Sequence, residues 1–442
     1  MTLGRLRTPA LFLLAVLIEA AMVAMLRLGD LSRHAIPLLA WALSAALFYL
    51  IAVWIVLAAG SRLRSSAWWL IVGAALLFRL TLLPLPPSLS HSFYRHHWEG
   101  KIQSYSPPFN PYFFAPENPI FVPMRGPDYG RLKHKQLAAA APPLAELVAR
   151  WNYRWFPRPW EEKLIPIGFD LLTILALAGW LRRRGLPRER ALIYAWSPLA
   201  VIEAGANGHF IAIFMCLLVA SFYLAGEWDR LSHLAMGLAA MLGLPALALL
   251  PAWLRQQRRR RWLWLLAPVI VCSLPYLFFN KHFFLPAWGR NLSASLRLWL
   301  AGYANGGISL LPRLLGAGLT LPVRIAALAA FAALLSWISA HKLEPARMAK
   351  LIAASALLLL PRLLPVYVLW LLPWLALDPD PAWLCFSSIV VLAYPPLIST
   401  AYRQTNWQLW EFLPLYGLLL WGWLRNRRRD GAVNNRERSV SA

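Results

Sequence analysis

Uninterrupted apolar stretches constrain this chain more than any motif does. Residues 11–26, 37–59, 68–85, 262–279 and 322–340 each approach the length a helix needs to cross hydrocarbon, about 20 residues at 1.5 Å per residue. The apolar positions run continuously and do not alternate, which argues against a membrane β-barrel. Only 14% of the 442 residues are charged and 59% are hydrophobic, with a mean hydropathy of +0.52. A soluble chain carries about a quarter charged residues. The expected fold class is therefore all-α, a polytopic transmembrane helix bundle of about twelve crossings.

The net charge of +25 suggests nucleic acid at first sight. Its distribution argues against that partner, because the basic residues bridge apolar blocks and do not line a soluble domain interleaved with aromatics. Arg62 and Arg64 form one bridge, Arg182–Arg184 with Arg188 and Arg190 another. Arg255 and Arg258–Arg261 form a third, and Arg425 with Arg427–Arg429 a fourth. Such clusters mark the cytoplasmic side and attract anionic lipid headgroups. Arg5 and Arg7 then put the N-terminus inside, as a retained helix without a convincing cleavage site. Segment 87–163 becomes an extracytoplasmic loop with short amphipathic helices. Segments 281–305 and 341–350 fall outside and inside respectively. The block 234–254 conflicts with a single crossing, which would carry the Arg255–Arg261 cluster outside. Gly243 and Pro245 near its middle point to a broken re-entrant hairpin. Residues 1–430 form one transmembrane domain, and the polar segment 431–442 is expected to be a disordered cytoplasmic tail. Cys216, Cys272 and Cys385 lie in apolar blocks without metal or disulfide spacing, so no metal or other cofactor is indicated. No internal repeat suggests a transporter of two related halves.

Chemistry concentrates between Ser88 and Pro143, in SLSHSFYRHHWEGKIQ followed by FNPYFFAPENP. Aromatic faces stack on sugar rings, while Arg and Asn hydrogen-bond hydroxyls or phosphates. An aromatic belt at the membrane interface uses the same residue types. Two charges lie inside apolar blocks, Arg79 and Asp170, and a bare charge at membrane depth costs several kcal/mol. They suit either a mutual pair locking two helices or a polar cavity wall with Arg79 against a phosphate. Arg362 is a further phosphate candidate, with snorkelling to headgroups as the alternative.

The order of residues in this loop resembles polytopic mannosyltransferases of the glycosyltransferase-C type, which use a polyprenyl-phosphate sugar. Tyr94, Arg95, Trp98, Glu99, Gly100, Asn110, Pro111, Tyr112, Pro116, His134, Pro142 and Pro143 match the family's pattern. Gly185, Trp196, Pro198, Glu203, Gly208 and His209 continue it, as do Asn305, Pro361, Pro365, Tyr367, Trp370 and Pro373. The likeness spans about residues 67–425. Several departures remove acidic or basic groups. His91 and Ser92 replace the family's two acidic residues, Phe210 and Ile211 follow Gly208-His209 where it has Asn-Asp, and a hairpin Lys is missing near Gly243.

The resemblance implies a glycosyltransferase-C-like fold and transfer of a hexose, expected to be mannose, from a polyprenyl-phosphate donor. The acceptor is a lipid or glycan at the extracytoplasmic face of the inner membrane. His91, in the position of the missing acid, and Glu99 are the candidate bases. Arg79, Tyr94, Arg95, Trp98, Asn110, Tyr112, His134, Asp170, His209, Asn305, Arg362 and Tyr367 are the candidate substrate-binding residues. The lost acids keep open a catalytically silent relative that binds lipid-linked sugar or a partner enzyme. A transporter or flippase is a third reading.

Overall fold

A computed structural model describes residues 2–60, 63, 65–259, 261–279, 282–302, 305–310, 312 and 320–440. Arg62, Arg64 and Arg260 of the basic bridges lie outside the described residues. The chain is a helical bundle, built from α1 (Thr2–Leu28), α2 (Ala35–Ala59), α3 (Ser65–Leu82), α4 (His91–Gln103) and α5 (Pro143–Trp155). There follow α6 (Leu164–Arg183), α7 (Ile211–Leu224), α8 (Asp229–Ala240), α9 (Pro245–Leu254) and α10 (Trp262–Ser273). The remaining long elements are α11 (Phe284–Ala301), α12 (Leu321–Ala340), α13 (Pro345–Leu359), α14 (Pro381–Ile389) and α15 (Trp407–Val440). The one ladder among the described residues pairs Phe278–Phe279 with His282–Phe283.

Six helical segments among the described residues are long and apolar enough to cross a bilayer: Arg7–Leu28, Ala35–Ala59, Ser65–Leu82, Pro159–Arg183, Leu321–Ala340 and Pro381–Ile398. Helix α2 shows why. Its buried stripe of Leu38, Ala42, Ala45, Tyr49, Ala52 and Val56 recurs at helical spacing, yet Trp41, Leu47, Ile51 and Trp54 on its outer face are equally apolar. A helix with one packed face and no polar face suits a hydrocarbon solvent. Other apolar stretches are cut short by proline, which lacks the N–H a helix interior needs. Segment 191–206 is cut this way at Pro198 and runs as short turns through the centre of the bundle. There the Tyr49 hydroxyl donates to the Ile193 carbonyl (2.7 Å) and Trp196 Nε1 to the Ile71 carbonyl (2.9 Å). Irregular backbone at this depth is tolerated because protein covers it.

The connecting segments gather at two ends. At one end Arg183 pairs with Glu227 (2.8 Å), Arg184 with Glu344 (2.5 Å), and Arg255 donates to the Ser339 carbonyl (2.7 Å). At the other, Asn291 donates to the carbonyls of Tyr112 and Ala139 (both 2.9 Å), and Trp288 to that of Ala140 (3.0 Å). The loops expected to share a side of the membrane thus meet one another. The broken hairpin is also present. Helix α8 stops at Ala240, α9 begins at Pro245, and their feet join where Trp253 Nε1 reaches Ser232 Oγ (3.0 Å) and the Arg261 N–H reaches His233 Nε2 (3.0 Å). Helix α15 runs on through 431–440, where the polar composition suggests disorder. Extending an existing helix costs far less than nucleating one.

Candidate functional site

Helix α4 divides the polar residues of the loop between two environments. Phe93, Tyr94, Trp98 and Ile102 pack with Phe121 and Leu132 into a small core of the loop layer. Tyr94 accepts a hydrogen bond from Arg131 (2.5 Å), and Trp98 packs edge-on against Phe121. Asn110 accepts from the Tyr112 N–H (3.0 Å), and the Tyr112 hydroxyl donates to the Ala141 carbonyl (2.9 Å). Asn305 clamps Leu363 through both its N–H (2.9 Å) and its carbonyl (2.6 Å). These five candidates shape the walls and do not line the cavities described below.

The intramembrane pair is likewise closed. Arg79 and Asp170 bond to each other, Arg79 also donates to the carbonyls of Ala75 (2.8 Å) and Ala195 (2.9 Å), and Tyr194 donates to Asp170 (2.6 Å). Both side chains are buried and line none of the compartments described below, as the locking pair requires, although Arg79 Nη2 has no partner among the described residues.

The other stripe of α4 (Ser92, Arg95, His96 and Glu99) lines a polar compartment of about 330 Å³ together with Lys133, His134, Trp299 and Arg362. Arg95 spans it, bonded to Glu99 and to the carbonyls of Leu137 (2.7 Å) and His134 (3.3 Å). His134 holds a left-handed backbone (φ 52°), strained for a residue with a Cβ. Burial lowers its imidazole pKa, and Arg362, Arg95 and Lys133 lower it further. Arg362 makes no ion pair among the described residues, and its buried Nε lacks a partner. Glu146 of α5 lies behind Glu99, fully buried, and accepts from Gln103 (3.1 Å). Burial first, and the neighbouring Glu99 second, push its carboxyl well above the usual range. His91 opens α4, and its side chain lies outside the described residues.

At His96, Ala141 and Trp299 this compartment adjoins a second one of about 390 Å³. His209, Phe210, Phe214, Tyr367, Trp370 and the hairpin tip at Gly243–Pro245 line it. Tyr367 stacks on Trp370 with centroids 4.8 Å apart. A third compartment of about 230 Å³ follows beyond Phe214, Leu244, Pro245, Leu360 and Trp370, and its lining is wholly apolar.

Backbone geometry seats His209. Its N–H donates to the Glu203 carbonyl (3.0 Å) across a π-turn at Ile202–Ala206. Lys163 fixes that turn from beneath, donating to the carbonyls of Leu85 (2.7 Å), Gly205 (3.0 Å) and Ala206 (3.2 Å). Gly208 adopts φ 59° against the Lys163 stem, where a Cβ would fall 2.4 Å from Cγ. His209 Nδ1 accepts from the Ile211 N–H (3.1 Å), which leaves the ring proton on Nε2. Burial pushes this imidazole down to about 3, so it stays neutral.

Sequence reasoning missed His96, Trp299, Lys133 and Glu146. His96 stands where the first two compartments meet, stacked on Phe210 at 4.5 Å, with a buried Nδ1 that has no partner. Burial lowers its pKa, partly offset by Glu99 at 3.8 Å. Positions 92, 96, 99 and 103 share helical spacing, but spacing alone does not say which stripe of α4 faces a cavity.

Comparison with family models, with curated proteins and with solved structures finds no match.

Proposed function

We propose that the chain is a membrane glycosyltransferase of the glycosyltransferase-C type, transferring a hexose from a polyprenyl-phosphate donor at the extracytoplasmic face. One observation carries this reading: the succession of a cation-lined, an aromatic and an apolar compartment. In such a donor the phosphate joins the sugar to the isoprenoid, so the polar compartment would take the hexose and its phosphate, the aromatic compartment the first isoprene units, and the apolar one the chain beyond. Arg362 and Lys133 would face the phosphate, Trp299 would border the sugar in the polar compartment, and the Tyr367 and Trp370 rings would face the first isoprene units.

In the reaction the acceptor oxygen attacks the anomeric carbon, and its proton passes to His96. The carbon–oxygen bond to phosphate breaks, and the departing charge falls to Arg362. A neutral imidazole is the competent form of such a base. Because burial lowers the His96 pKa, transfer persists below the ordinary imidazole value of about 6.5.

A specific observation favours the silent relative as the second reading. Glu99 is the one carboxylate lining the polar compartment among the described residues, and Arg95 engages it. The deciding experiment uses the full chain reconstituted in lipid with polyprenyl-phosphate-mannose and envelope lipid or glycan acceptors. Transfer is expected, with His96→Gln lowering turnover about 10²–10⁴-fold while donor binding persists. Donor binding without transfer at any pH would establish the silent relative. Absence of donor binding would remove both readings.

A further inference from the structure

The end of the bundle away from these compartments carries a second concave, charged feature. A groove of about 640 Å³ opens between residues 226–231 and 258–264, at the joined feet of the broken hairpin. Of its two carboxylates only Glu227 has a cationic partner among the described residues. Glu227 pairs with Arg183 (2.8 Å), and Asp229 accepts from the Gly226 N–H (3.2 Å). The guanidinium groups of Arg230, Arg258, Arg259 and Arg261 have no carboxylate partner among the described residues, and the buried Nε of Arg261 bonds to nothing. Four arginines against the single unpaired carboxylate of Asp229 leave the groove net cationic, which suits an anion.

We propose that this groove binds the phosphate of an anionic phospholipid. Phosphate chemistry alone would admit a soluble phosphate as well. The surface beside the groove favours the lipid. Trp228 and Trp264 stand at its rim, 58% and 39% exposed, as interfacial aromatics do at headgroup depth. Helix α10 then leaves the groove with Leu263, Leu266 and Ile270 exposed on one face, spaced for a single stripe. A phosphate held by the arginines would lay its acyl chains along that stripe. A soluble anion has no use for it.

The full chain in phosphatidylcholine nanodiscs containing a diazirine-bearing phosphatidylglycerol tests this directly. After irradiation and digestion, crosslinks should concentrate on peptides covering 226–231 and 258–264. Combining Arg258→Gln, Arg259→Gln and Arg261→Gln should lower that yield by on the order of 100-fold, since each basic side chain contributes several-fold near a membrane surface. Arg259→Gln alone changes an exposed side chain and leaves the fold intact, and should lower it about fivefold. Arg425→Gln with Arg427→Gln, on another basic segment, should leave the yield unchanged. Equal labelling by a diazirine-bearing phosphatidylcholine would overturn the anionic specificity. Abolition of the crosslink by inorganic phosphate would reassign the groove to a soluble ligand. Labelling spread evenly over all basic segments would show that no site exists.

Discussion

Two of the molecule's arginine–carboxylate pairs, one in the bundle and one in the loop layer, differ in what surrounds them. Arg79–Asp170 is 0% and 1% exposed, with further bonds from Arg79 to the carbonyls of Ala75 on its own helix and of Ala195, and from Tyr194 to Asp170, while Arg79 Nη2 has no partner among the described residues. Arg95–Glu99 is 19% and 4% exposed, borders a cavity, and has a second carboxyl, Glu146, behind it. The same ion pair thus serves as a lock in one place and as a wall in the other. What separates the two roles is whether the pair borders a cavity. Depth in the membrane does not decide it, although depth is what drew attention to Arg79 in the sequence.

Breaking the lock should produce the largest effect. Asp170→Asn leaves Arg79 buried without a counter-charge and should destabilise the fold by about 3–5 kcal/mol. The measurement is thermal unfolding of detergent-solubilised protein. Arg79→Leu in the same chain should recover most of the loss, and a failure to recover would assign Arg79 a role beyond the pair. A smaller effect is expected at the cavity wall. Arg362→Gln should keep the folded yield and weaken polyprenyl-phosphate-mannose binding by about tenfold to a hundredfold, the worth of one charged hydrogen bond. Unchanged affinity would place the phosphate elsewhere.

The smallest effect sharpens the contrast behind Arg95. The raised Glu146 pKa means that the folded state binds a proton which the unfolded state releases. Stability therefore falls as pH rises from the ordinary carboxyl value of about 4.3 through the raised one. Glu146→Gln removes that cost and should add about 0.5–2 kcal/mol at neutral pH. The gain should shrink as the solution is acidified, and a pH-independent gain would exclude proton uptake as its cause.

Much of the architecture was legible in the sequence because bilayer rules act on local composition. Apolar runs gave the helices, arginine clusters sorted the loops to two ends, and Gly243 with Pro245 marked the hairpin break. The site was less legible. Helical spacing groups Ser92, His96, Glu99 and Gln103, yet which stripe of α4 meets a cavity depends on distant segments. Those segments dock through backbone carbonyls, as Asn291 does on Tyr112 and Ala139, and carbonyls leave no trace in residue type. Tyr94, Trp98, Asn110 and Tyr112 were conspicuous as aromatic and amide groups, and the structure uses them to build the loop. Trp299 and Glu146 sit in stretches with no distinguishing pattern and reach the site through folding alone.

The Lys163 ammonium beneath the π-turn bears on how substitutions here should be interpreted. It never faces a ligand, yet the turn that carries His209 hangs from it. A screen scored only by product formation would rank Lys163 beside the residues that touch substrate. Its signature differs: shortening or neutralising this side chain should disturb every ligand of the aromatic compartment alike, whatever its leaving group. A position whose loss is indifferent to substrate chemistry belongs to the masonry of a site.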